Sequence, residues 1–142
     1  MVKKNMKSIC LLFFFVAVLA VSCATRPITF PDDLTPAEYI QRAQEASDKY
    51  RYSISLQYYE ALIEKFPYDI DSVIAAEYEI AFINYKQGRN DLARTQFNSL
   101  LARYNTPDAE LLPPQFKILS GKVLESINER AGQKRSFFGF RN

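Results

Sequence analysis

The chain has 142 residues, 18 basic and 16 acidic, for a formal net charge of +2, and it contains neither histidine nor tryptophan. That length suits one domain with a modest core, and the missing histidine removes the usual general base near neutral pH and the commonest metal ligand. Both cysteines, Cys10 and Cys23, lie near the N-terminus, so the body of the chain has no disulfide framework.

Residues 1–22 read as a targeting segment. Lys3, Lys4 and Lys7 form a positive region, and a short apolar run follows from Ile9 to Val21. The run is too short for a comfortable membrane span. It ends at Leu19-Ala20-Val21-Ser22-Cys23, which resembles a bacterial lipobox, with Ala20 where leucine is usual and Leu19 one position early. The resemblance implies cleavage before Cys23 and acylation of its thiol, with firm anchoring because each buried methylene contributes about 0.8 kcal/mol. Cleavage there removes three of the 18 basic residues and none of the 16 acidic ones, turning the net charge from +2 to −1. No electrostatic case for nucleic acid survives. Residues 23–35 carry prolines and no helical period, as expected of a lipidated cysteine followed by an extended tether.

The domain is expected over 36–131. Thr35 can cap a first helix, with Pro36 at its first position and Glu38 in its first turn. This helix, over 36–49, places Tyr39, Ala43, Ala46 and Tyr50 on one face. A second, over 52–66, lines up Tyr52, Leu56, Tyr59, Ile63 and Phe66. Pro67 and Asp69 separate it from a third, over 70–87, with Ala81 at a small position and Tyr78, Phe82 and Tyr85 on another face. A helix apolar on more than one side is packed on more than one side, or binds something. Gly88 ends it. A fourth, over 91–104, buries Ala93, Phe97, Leu100, Leu101 and Tyr104. Prolines bracket the next connection, and a fifth helix over 114–130 turns Phe116, Leu119, Val123 and Ile127 inward until Gly132 stops it. Residues 132–142, rich in phenylalanine and basic side chains, read as a mobile tail; binding to an anionic membrane, to a partner or to its own groove is the alternative.

These helices share one design. Ser55, Tyr59 and Pro67 sit where a helix-turn-helix repeat of about 34 residues places its small residue, its aromatic and its terminal proline. Ala93 and Phe97 repeat the small-aromatic pair. Phe116, Leu119, Ser120 and Val123 match the opening helix of a third, half-length copy. The pattern is that of tetratricopeptide repeats and predicts an all-α fold, with about two and a half repeats stacked as a short right-handed solenoid. From Ser55 to Ala93 the spacing is 38, about four more than the standard repeat, and one additional turn in the third helix absorbs the excess.

The stretch 37–69, with the lipobox, the short tether, Tyr39, Ala43, Ala46, Tyr52 and the run from Glu60-Ala61-Leu62 to Phe66-Pro67, resembles the first repeat of outer-membrane assembly lipoproteins of the BamD type. This chain holds fewer repeats than that family. The resemblance implies a periplasm-facing scaffold, lipid-anchored most often in the outer membrane, that helps a β-barrel insertase. A structural adaptor for division or peptidoglycan-linked machinery is the alternative. In the repeat frame the inner wall comes from Ile40, Gln44 and Ser47 of the first helix, Tyr78, Phe82 and Tyr85 of the third, and Lys117 and Leu124 of the fifth. Such a wall suits an extended peptide or a partner helix, unless the three aromatics simply pack against their neighbouring helices. No nucleophile-base pair, glycine-rich phosphate loop or metal-ligand spacing occurs after Cys23, so neither catalysis, a small-molecule substrate nor a cofactor is expected.

Overall fold

The computed structural model describes the backbone of residues 28–139 and the side chains of residues 28–133. The segment expected to be a targeting signal, Cys23 and the side chains of the C-terminal phenylalanines lie outside these residues. Among the described residues the protein is all-helical and has no strands. Its five α-helices are α1 (Pro36–Asp48), α2 (Tyr52–Lys65), α3 (Ile70–Lys86), α4 (Asn90–Arg103) and α5 (Pro114–Gly139). A short 3-10 turn at Pro107–Leu111, not anticipated from the sequence, lies in the connection before α5.

The start of α1 follows its local chemistry. The Thr35 hydroxyl accepts the Glu38 backbone N–H at 3.3 Å, and the Glu38 carboxylate accepts the Thr35 N–H at 2.8 Å, closing a capping box. The Thr35 N–H first, and then the Thr35 hydroxyl, which also donates to this carboxylate at 2.7 Å, hold the Glu38 carboxyl below its ordinary range. The expected extra turn is also present, since α3 has 17 residues where α1 has 13.

Each helix packs on the next in the chain, and α3 also touches both α1 and α5. Two apolar clusters result. Leu34, Tyr39, Ala43, Tyr59, Leu62, Ala76 and Ile83 fill the space between α1, α2 and α3. Ile74, Tyr78, Ala81, Ala93, Phe97, Leu100 and Ile127 fill that between α3, α4 and α5. The third helix is therefore apolar on two sides because it serves two cores. The small-aromatic design occupies the crossings: Ala43, Ser55 and Tyr59 in the first hairpin, like Ala81, Ala93 and Phe97 in the second, are almost wholly excluded from water.

The turns match as well. In the first, Arg51 N–H donates to Ala46 C=O at 2.8 Å, with Tyr50 between at φ 56°. In the second, Arg89 N–H donates to Asn84 C=O at 2.9 Å, with Gly88 at φ 75°. Both are left-handed helix stops of the kind glycine favours. Tyr50, expected on the inward face of α1, is instead 80% exposed, because the helix ends at Asp48 and the left-handed residue points its side chain away.

Three further expectations change. The tether is docked from Ile28 onward: its N–H donates to Gln57 Oε1 at 3.0 Å, the Phe30 ring lies 5.2 Å from that of Tyr58, and Leu34 is buried. Apolar side chains in an extended segment gain by leaving water, here against the outer face of the first hairpin. On α5, Leu119 and Ile118 are exposed while Ser120 is buried, since the last described helix is covered on one side only. Nor does Gly132 stop α5, which continues to Gly139. An isolated glycine costs a helix only about 1 kcal/mol, and no proline follows it.

Two substitutions test this packing. Ala81→Leu forces a branched chain into a filled crossing and should cost about 1–3 kcal/mol, seen as a melting temperature lowered by several degrees. Tyr50→Gly relieves a left-handed conformation that costs a side chain roughly 1–2 kcal/mol. Glycine returns part of that as unfolded-state entropy, so a small rise in melting temperature is expected.

Candidate functional site

Helix α3 carries the aromatic run expected on the inner wall. Tyr78 stacks on Phe82 at 5.8 Å and Phe82 on Tyr85 at 6.0 Å, as spacings of four and three residues along one helical face require. Their surroundings differ. Tyr78 is 7% exposed, its ring 5.7 Å from Phe97 and 5.3 Å from Phe116, so it belongs to the core of the second hairpin. Phe82 and Tyr85 are half-buried at the edge of that core, and Leu124 of α5 joins them there. From α1, Ile40 is half-buried, Gln44 is exposed and Ser47 is buried; Lys117 of α5 is exposed. Contacts thus join Ser47, through Lys86, and Leu124 to the Phe82–Tyr85 run, with Tyr78 beneath its surface.

Two features of this side were not read from the sequence. Lys86 lies with its ammonium 5.2 Å from the Phe82 ring and 5.6 Å from that of Tyr52, and it donates to Ser47 Oγ at 3.4 Å. Arg130 of α5 caps the Tyr85 ring at 5.2 Å. A cation over an aromatic face gains about 0.5–1 kcal/mol at an exposed site, so these residues clamp α3 to its neighbours. Lysine four residues after Phe82 was a visible signal for the first of these contacts. Arg130 was not, because its partner is distant in sequence.

At the other end of the same side, an open cleft of about 460 Å³ lies where α1, α3 and the start of α5 converge. Ile40, Ala75 and Phe116 give it an apolar floor, and Asp71, Ser72 and Gln115 a polar margin. Tyr104 fixes the approach to this cleft by donating its hydroxyl proton to Pro113 C=O at 2.7 Å. The cleft can receive a side chain or a short peptide segment. Among the described residues no group of three or more acidic or cysteine side chains is placed to hold a metal ion. No helix among them is long and apolar enough to cross a membrane.

Beside Lys86 on α3, burial raises the Glu79 carboxyl above its ordinary value, with the Lys86 ammonium opposing the shift. Tyr59 is likewise pushed up, first by burial and then by the charges of Glu79 and Asp48. Arg103 Nη1 donates to both carboxylate oxygens of Glu77, at 2.7 and 2.8 Å, and ties α4 to α3 near the surface.

No family model matches this sequence, and no solved structure matches it. The chain is 30% identical over 118 residues to an uncharacterized protein of Treponema pallidum (strain Nichols). The match takes in 82% of this chain and 45% of the relative, so the chain spans less than half of that protein's length.

The Glu79 shift has a measurable consequence. A carboxyl raised in the folded state binds its proton more tightly there than in the unfolded chain, so its contribution to stability falls as pH rises through the folded value. Glu79→Gln removes that penalty, partly offset by the lost attraction to Lys86. The variant should melt above the parent at pH 7, with the difference closing towards pH 4.

Proposed function

We propose that this protein is a lipid-anchored scaffold of tetratricopeptide type that holds a protein partner on the wall formed by α1, α3 and α5. One observation carries the reading. The alternate helices α1, α3 and α5 touch in series, with no contact of comparable extent joining α2 to α4 among the described residues. Helical hairpins packed in that way build a curved stack whose inner wall comes from the first helix of each pair. The cleft at Ile40, Ala75 and Phe116 lies on that wall, where a partner's side chain would enter. The recurrence of small and aromatic residues at equivalent crossings, and of the same turn at Tyr50 and Gly88, supports the repeat frame.

Anchoring through an acylated Cys23 places the scaffold on the periplasmic side of a bacterial envelope. The resemblance to BamD-type lipoproteins makes a part in β-barrel assembly the leading role. The partner is a protein engaged through a peptide or helix, with no chemical step required of the scaffold.

In-cell photocrosslinking tests the wall. A photoreactive residue at Ile40 should yield a discrete protein adduct, whereas one at Leu92, exposed on α4, should not. Equal adducts from both positions, or none from Ile40, would reject the groove. Depletion that leaves outer-membrane barrels at normal levels would reject the assembly role and keep the scaffold. Cys23→Ala should abolish acyl labelling and release the protein from membranes, and a variant retained there without label would reject the anchor.

A further inference from the structure

The helices α1, α3 and α5 point the same way, and their C-terminal ends share one end of the molecule. Contacts fix the direction. Phe116, early in α5, meets Tyr78, and Arg130, later in α5, meets Tyr85 one residue before the end of α3. Lys86, the last residue of α3, reaches Ser47 near the end of α1. That end therefore holds the α1–α2 turn, the α3–α4 turn and the part of α5 that follows Arg130.

Charge is divided along this axis. The shared end carries Lys49, Arg51, Lys86, Arg89 and Arg130, all exposed. The opposite end carries Asp32, Asp33, Asp71, Asp108 and Glu110 on exposed positions, with Asp69 capping α3. Exceptions occur at both ends: Asp48, Asp91 and Glu129 lie near the basic end, where Asp91 is paired with Arg94 at 2.9 Å, and Lys65, Arg103 and Lys117 lie near the acidic one, where Arg103 is paired with Glu77. Among the described residues no carboxylate lies within ion-pair distance of Lys49 or Arg51. A cleft beside the α1–α2 turn adds Arg42 to these two, against the single carboxylate of Glu45.

Three independent features converge on the same end. The first is the path of the chain towards Cys23. Ile28 is held at Gln57, in the second turn of α2, while Leu34 and Thr35 lie where α1 begins, beside the C-terminal end of α2. Followed backwards, the chain at Ile28 is heading for the α1–α2 turn. From Ile28 back to Cys23 it spans at most about 17 Å, whereas Arg51 lies only about 9 Å along the helix from Gln57. The second feature is Tyr50, the one non-glycine residue with positive φ among the described residues, where the equivalent turn uses Gly88. A strained position that keeps an exposed ring, 6.2 Å from the ring of Tyr52, points to a use for that ring outside the molecule. The third is α5, whose nine helical residues after Arg130 continue past the end of α3 in that direction and include Lys134, Arg135, Phe137 and Phe138.

From this juxtaposition we infer that the basic end is the membrane-facing end of the domain, and that Tyr50, Lys49 and Arg51 rest in the headgroup layer of an anionic bilayer. Tyrosine suits the interface, where its ring finds apolar depth and its hydroxyl stays wet. Lysine and arginine gain there from the negative surface potential. The acidic end is turned away from the lipid. The inference rests on the acylated Cys23 of the proposed function and adds a fixed orientation to it.

The test uses the acylated chain purified from bacterial membranes and reconstituted in phosphatidylethanolamine vesicles with phosphatidylglycerol. Thiol acylation leaves Tyr50→Cys as the one free thiol of the cleaved protein, and Tyr68→Cys, at an equally exposed tyrosine of the acidic end, serves as its control. A polarity-sensitive dye at position 50 should be quenched by headgroup spin-labelled lipid at least about twofold more than at position 68. Lys49→Glu, Arg51→Glu and Arg89→Glu together should bring quenching at position 50 down to the level at 68. Equal or stronger quenching at 68, no effect of charge reversal, or the same result in phosphatidylcholine alone would overturn the orientation while leaving the anchor. An unacylated Cys23, seen by mass and as a second labelled thiol, would overturn both.

Discussion

Close approach of helices sets the terms for this protein. Neighbouring helix axes come within about 8–10 Å only where the side chains at the crossing allow it. Here those positions hold Ala43 and Ser55 in the first hairpin and Ala81 and Ala93 in the second, each excluded from water, with Tyr59 and Phe97 in the adjoining spaces. Small side chains bring the backbones together, and the rings then fill what remains, so that interior density is reached without strain. The burial of Ser55 and Ser120 fits the same constraint. Size decided these positions, since neither hydroxyl has a hydrogen-bond partner among the described residues.

The second consequence is the shared role of α3. It lends Ala76 and Ile83 to one cluster and Ile74, Tyr78 and Ala81 to the other, so the two hairpins have adjoining cores. The added turn lengthens this helix towards its N-terminus, where Asp71, Ser72 and Ala75 meet α1 and α5 and leave the cleft. The same contact that joins the hairpins thus shapes the cleft on that side. Cation-π contacts from Lys86 and Arg130 close the wall at its other end.

Polarity of the whole domain follows from the parallel direction of α1, α3 and α5. Turn residues that are scattered along the chain gather at two ends, one predominantly basic and one predominantly acidic. Segregation of this kind acts at the range of the Debye length, about 8–10 Å in physiological salt. In the proposed membrane-facing orientation a short tether would limit distance and a charged end would limit rotation.

Helix number, the cap at Thr35, the additional turn of α3 and the small-aromatic spacing were all legible in the sequence, because each depends on residues within a turn or a few turns of one another. The burial of Tyr39, Ala43, Tyr59, Phe97 and Ile127 followed from the same periodicity. What periodicity does not contain is the covering of each face. Leu119 and Tyr78 sit on equally apolar stripes, yet one is exposed and the other enclosed, since α5 has a neighbour on one side and α3 on two. The docking of Phe30 on Tyr58, the reach of Arg130 to Tyr85 and the continuation of α5 through Gly132 join or extend segments whose local composition is silent about them. Local sequence determined which segments are helices and which residues could touch. The tertiary arrangement alone decided which faces found partners and which end gathered the positive charge, because both depend on the relative direction of helices far apart in the chain.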